Sequence, residues 1–197
     1  MKRKQITELL LQTLETEMGG VQIYENALKC AIHDDLKKEW TEYLEQTQNH
    51  VAIATRVCEA MGIDPRQQTP RRLVVHHIGQ SLLQAMKAAL DSGEPEAAQL
   101  VATECVVEAE TKDHLNWELI GHLAKGMKGL EAQTLRDAFE EVEEQQDERL
   151  YHTTGWCREL WIDSLGMPAV LPPPEEEKDV TTAIGTVRAK MARKELL

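Results

Sequence analysis

Apolar residues recur along most of this chain at alternating spacings of four and three, the signature of helices that each bury one face in a bundle. The first such stretch runs from about Gln5 to Ile32, with Leu10, Leu14, Glu17, Val21, Tyr24 and Leu28 on its inward stripe. Gly19-Gly20 is expected to interrupt this helix next to Glu17, relaxing the backbone or letting a neighbouring helix approach closely. The second runs from about Leu36 to Met61 through Leu36, Trp40, Tyr43, Thr47, His50, Ala54, Val57 and Met61, and Gly62 ahead of Asp64-Pro65 ends it. A shorter helix over 73–90 is predicted to have one apolar side, made by Leu73, Val74, Ile78, Leu82, Leu83, Met86 and Leu90. Asp91-Ser-Gly93-Glu-Pro95 breaks the chain, and Pro95 suits the first turn of a third long helix over 94–125. A fourth, over 130–160, turns Leu135, Phe139, Val142, Glu143, Gln146, Leu150, Thr153, Cys157 and Leu160 inward. The long crossover means that the second and third long helices need not be tight-turn neighbours.

The polar residues on these apolar faces carry the chemistry. In the third long helix Val106, Ala109, Trp117, Ile120 and Ala124 share a face, and Glu110 and Asp113 fall on it. Glu17, Tyr24, Thr47, His50, Glu143 and Gln146 are the other inward polar positions, so every long helix supplies at least one. Several buried carboxylates repel one another and lose their hydration, so they need a partner. A metal is one; an arginine, with Arg149 the main candidate, or a network of hydrogen bonds closed by water is another. Oxygen-rich ligation with one imidazole suits iron, manganese or a related divalent ion.

Composition narrows the class. Of 197 residues 42% are hydrophobic and only 4% aromatic, a helical profile with enough apolar material for one core. The net charge of −12 argues against a nucleic-acid partner. No apolar run is long enough to span a membrane, and Met1-Lys-Arg-Lys leads into no secretory signal, so a cytoplasmic protein is expected. Cys30, Cys58, Cys105 and Cys157 stand one per long helix without metal-type spacing and read as core thiols. His76-His77 reads as solvent or core. Pro168, Pro172-Pro-Pro174 and Glu175-Glu-Glu177 predict a stiff linker, which divides the chain into a helical body (1–166), a linker (167–180) and a short tail (181–197).

With these residues in place, the body resembles the ferritin-like di-iron carboxylate superfamily, in which two helices give a Glu and two give Glu-x-x-His. Glu17 with Tyr24 matches the first-helix glutamate and the tyrosine seven residues on. Thr47-x-x-His50 stands at a Glu-x-x-His position with Thr for Glu, Glu110-x-x-Asp113 is similar to a Glu-x-x-Glu variant, and Glu143-x-x-Gln146 has Gln for His. The stretch over 44–62 also looks like the stress-induced branch of that superfamily. The resemblance covers about residues 5–160. It implies an all-α fold, a ferritin-like four-helix bundle with an extra helix in the crossover and a flexible C-terminal tail. It further implies an iron site, di-iron in the family, held by Glu17, His50, Glu110, Asp113 and Glu143, with Tyr24 as a catalytic group that hydrogen-bonds a ligand or supplies an electron.

The tail carries a second resemblance. Thr182-Ala-Ile184-Gly185-Thr186-Val187-Arg188 is similar to the loading peptides of encapsulin cargo, with Thr for Ser and Val for Leu in the usual core. Together the two resemblances imply a ferroxidase for iron storage or mineralisation. They also imply a homodimer lodged inside an encapsulin nanocompartment through its tail. The rival expectations are a non-catalytic helical stress or scaffold protein with a degenerate metal site, and an oxygenase or catalase acting on a small substrate.

Overall fold

The computed structural model describes residues 2–168. The tail over 181–197, with its Thr182–Arg188 segment, and nearly all of the linker lie outside the described residues. Five helices follow one another: α1 (Arg3–Cys30), α2 (Asp34–Ala60), α3 (Pro70–Asp91), α4 (Pro95–Gly126) and α5 (Leu130–Ser164). Among the described residues there is no strand, so the all-α class holds, and no helix is long and apolar enough to cross a membrane.

The packing follows from the stripes. α1 contacts α2 and α4, and α5 contacts the same two, which closes a ring in which α1 faces α5 and α2 faces α4 across the centre. α3 lies outside that ring against α1 and α4, as its place in the crossover allows. All eight expected inward positions of α2 are buried. On α1 the expectation is corrected in detail: Val21 and Leu28 are only half-buried, while Ile23 and Ala27 are buried. Gly19-Gly20 does not interrupt α1. Gly20 instead allows the close approach, because a Cβ there would stand 3.1 Å from Thr47 Cγ2 of α2.

α3 departs furthest from its expected form. Only Met86 of its apolar set is buried, Leu82 and Leu83 are half-covered, and Leu73, Val74, Ile78 and Leu90 are exposed. Much of the anchoring of α3 is polar. Arg72 Nε donates to Glu15 Oε2 on α1 at 2.7 Å, with both side chains largely buried, and His76 Nδ1 lies 2.8 Å from Glu15 Oε1. Thr69 caps the helix by accepting from the Arg72 N–H, and Pro70 occupies its first turn.

Gly62 ends α2 as its sequence suggests. It sits at φ 69°, its N–H bonds to Glu59 O, and the N–H of the buried Ile63 reaches back to Cys58 O, which satisfies two otherwise orphaned carbonyls. Gly62→Ala is expected to cost about 1 kcal/mol, because a side chain is disfavoured at positive φ. Urea denaturation would read it as a lowered midpoint at unchanged slope.

The core is divided. One apolar cluster joins the first half of α1 (Ile6, Leu10, Leu14) to the second half of α2, the end of α4 and the start of α5. The other joins Ile23, Tyr24 and Ala27 to the start of α2, the start of α4 and Met86 of α3. Between them, at the same level on all four ring helices, lie Glu17, Thr47, His50, Glu110, Asp113, Gln146 and Arg149, all buried. A polar belt interrupts the core.

Candidate metal centre

Each belt residue holds its place because it is one step of the four-three pattern of its own helix. Glu17 succeeds Leu14 on α1, and Thr47 and His50 lie between Tyr43 and Ala54 on α2. Glu110 and Asp113 bridge Val106 and Trp117 on α4, and Gln146 and Arg149 lie between Val142 and Thr153 on α5. The apolar positions on both sides force the polar ones inward.

One donor atom from each of Glu17, His50 and Asp113 lies within 4.8 Å of the other two. His50 Nδ1 is 3.4 Å from Glu17 Oε1. The other ring nitrogen of His50, Nε2, meets Gln145 Oε1 at 2.7 Å, an oxygen that only accepts, so the proton of the neutral ring belongs on Nε2 and Nδ1 keeps its lone pair toward the cluster. Trp117 Nε1–H donates to Glu17 Oε1 at 2.6 Å, and Gln146 Nε2 donates to Asp113 Oδ2 at 2.6 Å. No donor reaches Glu17 Oε2, Asp113 Oδ1 or Gln146 Oε1, although all three are sealed from solvent.

Arg149 is the cation of the cluster. It is fully buried, with Nη2 3.3 Å from Asp113 Oδ2 and Nε 3.5 Å from Glu110 Oε2. Its Nη1 donates to Thr47 Oγ1 at 2.5 Å and its Nη2 lies 3.2 Å from His50 Nδ1. Thr47 passes its own hydroxyl proton to Tyr43 O at 2.7 Å. A short side chain at position 47 thus leaves room for the guanidinium and accepts from it. Glu110 is held from the other side by Tyr24, whose hydroxyl donates to Oε1 at 2.7 Å.

Electrostatics express the crowding. Burial raises the Glu17 carboxyl to about 7 and the Asp113 carboxyl to about 8, with Arg149 opposing each shift in part. Burial likewise raises Glu110, and it raises the Tyr24 hydroxyl well above the usual phenol range, with the Glu110 charge adding to the effect. His50 is lowered to about 4, first by burial and then by the neighbouring Arg149 charge, so it is a neutral donor at ordinary pH. Burial alone would lower Arg149, but the carboxylates around it, Glu110 first and then Glu17 and Asp113, hold it above its ordinary value.

The structure therefore gathers Glu17, His50 and Asp113 of the expected ligand set, with Glu110 and Tyr24 beside them but bound to each other and to Arg149. It does not gather Glu143. That side chain is half-buried and lines a cleft of about 110 Å3 between α4 and α5, with His114, Glu118, His122, Gln146 and Asp147. Trp117 and Gln145, read in the sequence as core and unremarked, prove to orient Glu17 and His50. Periodicity placed Trp117 on the right face but carries no signal for where its N–H points. Among known proteins, no family model, no curated protein and no solved structure matches this chain.

Proposed function

We propose that this protein is a ferritin-like bundle that takes up one divalent transition-metal ion per chain at Glu17, His50 and Asp113, with iron(II) as its oxidisable substrate. The observation that carries the reading is that one donor atom from each of three helices lies within 4.8 Å of the other two, while a second, buried oxygen of Glu17 and of Asp113 has no hydrogen-bond donor. Charge supports it. Glu17, Glu110 and Asp113, if ionised, bring three negative charges against the single positive charge of Arg149, and a divalent ion closes the difference. Two carboxylates and a neutral imidazole suit Fe(II), Mn(II) or Co(II), and such an oxygen-rich set favours the higher charge of ferric over ferrous iron when dioxygen takes the electron. In this proposal Arg149 and Tyr24 position Glu110, and Gln145 and Trp117 fix the lone pairs of His50 and Glu17. Delivery to an encapsulin shell through Thr182–Arg188 and assembly as a homodimer belong to the same proposal on sequence resemblance alone.

Arg149 also favours a second reading, a non-catalytic bundle whose buried network is closed by the guanidinium without metal. Anaerobic titration of the metal-free protein with Fe(II), followed by admission of dioxygen, separates the two. The expected result is saturation near one ion per chain and ferric absorbance after dioxygen, with uptake weakened at least about tenfold in Asp113→Asn. Two ions per chain would bring Glu110 or Glu143 into the ligand set, and no uptake would leave the arginine-closed network.

A further inference from the structure

The three donors proposed for the metal are buried, so an ion must reach them through some part of the wall, and the lining of the cleft between α4 and α5 adjoins them. Two of the residues that line this cleft, Trp117 and Gln146, are the ones hydrogen-bonded to Glu17 and Asp113, each at 2.6 Å. A single layer of side chains thus separates the cleft from the cluster. The cleft between α1, α3 and α4, lined by Glu15, Ile23, Ile78 and Lys112 among others, includes none of the cluster residues.

The chemistry of the α4–α5 cleft suits a cation in transit. Glu118 and His122 stand on its exposed rim, Glu143 is half-buried in its wall, and the buried Asp147 has His114 Nδ1 at 3.2 Å from its Oδ1. Lys125 is the opposing positive charge in the lining, so three carboxylates outnumber it. Gln146 is 1% exposed, and its amide nitrogen is turned to Asp113, with Glu17 Oε1 at 3.5 Å and His50 Nδ1 at 3.4 Å. That orientation turns Oε1 away from the carboxylates, and no donor meets it. A buried amide oxygen without a donor is an acceptor for a cation.

We infer that this cleft is the entrance by which a divalent cation reaches the buried donors, with Glu118 and Glu143 drawing it in and the Gln146 amide oxygen as the last station before Asp113. The inference rests on the proposed metal centre and adds a route to it. It gives Glu143, which the geometry leaves out of the centre, a task in the same path.

Stopped-flow binding of Co(II) to the metal-free full-length protein tests the route. Glu118→Gln combined with Glu143→Gln is expected to slow association about tenfold by removing local steering. Dissociation through the same mouth is expected to slow in parallel, so that the equilibrium Kd stays within about twofold. Glu25→Gln with Glu42→Gln, two exposed sites elsewhere, removes the same charge and is expected to leave the association rate near that of the unaltered protein. Association unchanged in the cleft variant overturns the route, and so does an equal slowing in the control pair, which would report overall charge. A Kd weakened about tenfold by faster dissociation overturns it too, since the two residues would then act as binding groups. Failure of the unaltered protein to bind Co(II) overturns the metal centre itself, a result distinct from the other three.

Discussion

Arg149→Met is expected to lower the stability of the metal-free protein by about 3–5 kcal/mol, the cost of removing one partner from a buried ion-pair network. The guanidinium is fully buried and meets Glu110, Asp113, Thr47 and His50, which come from two different helices, so its loss strands acceptors on both α2 and α4. Methionine keeps much of the volume, so the change isolates charge and hydrogen bonding from cavity formation. Adding Glu110→Gln to Arg149→Met is expected to recover a large part of the loss. The amide can still accept from Tyr24 and no longer needs a counter-charge. Arg149→Lys is expected to recover less, because an ammonium cannot span Thr47, Glu110 and Asp113 as the planar fork does. Urea denaturation of the single and double variants gives the coupling directly. Additive losses would show that Arg149 does not act through Glu110.

The same residue shows what the sequence could tell and where it stopped. The four-three spacing placed all eight inward residues of α2 and put Glu110, Asp113 and Gln146 on buried faces, because burial of a helix face depends on period and little else. Arg149 stood out as the inward cation for the same reason. What period cannot give is the direction of a side chain past its Cβ, nor which of several inward carboxylates meets which neighbour. Glu143 shares the inward sector of Gln146 by angle, and both line the α4–α5 cleft, yet Gln146 reaches Asp113 while Glu143 stays half-buried in the cleft wall. On α3, the apolar residues predicted one apolar side, but α1 and α4 cover only part of that helix, and ion pairs through Glu15 help to seat it. Period locates the belt. The contacts across the ring decide what the belt is.

The second large effect is on pH dependence. In the unfolded chain Glu17 and Asp113 release their protons near pH 4, while burial in the folded chain retains them to about 7 and about 8. Between those limits the folded state binds more protons than the unfolded one, so stability falls as pH rises, by about 1.4 kcal/mol per pH unit for each group. Below about pH 6.5 His50 opposes this. Its folded value near 4 lies under its unfolded one, so the unfolded chain takes up a proton that the folded chain refuses, and this contribution, which rises with pH, offsets about half of the decline in that range. The opposition ends near pH 6.5. From there to pH 8 the metal-free protein is expected to lose on the order of 2–3 kcal/mol, a drop of roughly 5–10 °C in Tm. Asp113→Asn is expected to flatten the part of the curve above pH 7. A divalent ion needs both carboxylates ionised, so its affinity is expected to rise through the same interval, with protons released on binding. Saturating Co(II) should therefore raise Tm far more at pH 8 than at pH 6 and largely remove the alkaline decline. If the arginine-closed network is the whole function of the belt, the decline will persist at the same slope with the ion present. A Tm independent of pH between 6.5 and 8 in the metal-free protein would mean that Glu17 and Asp113 do not hold their protons in the fold.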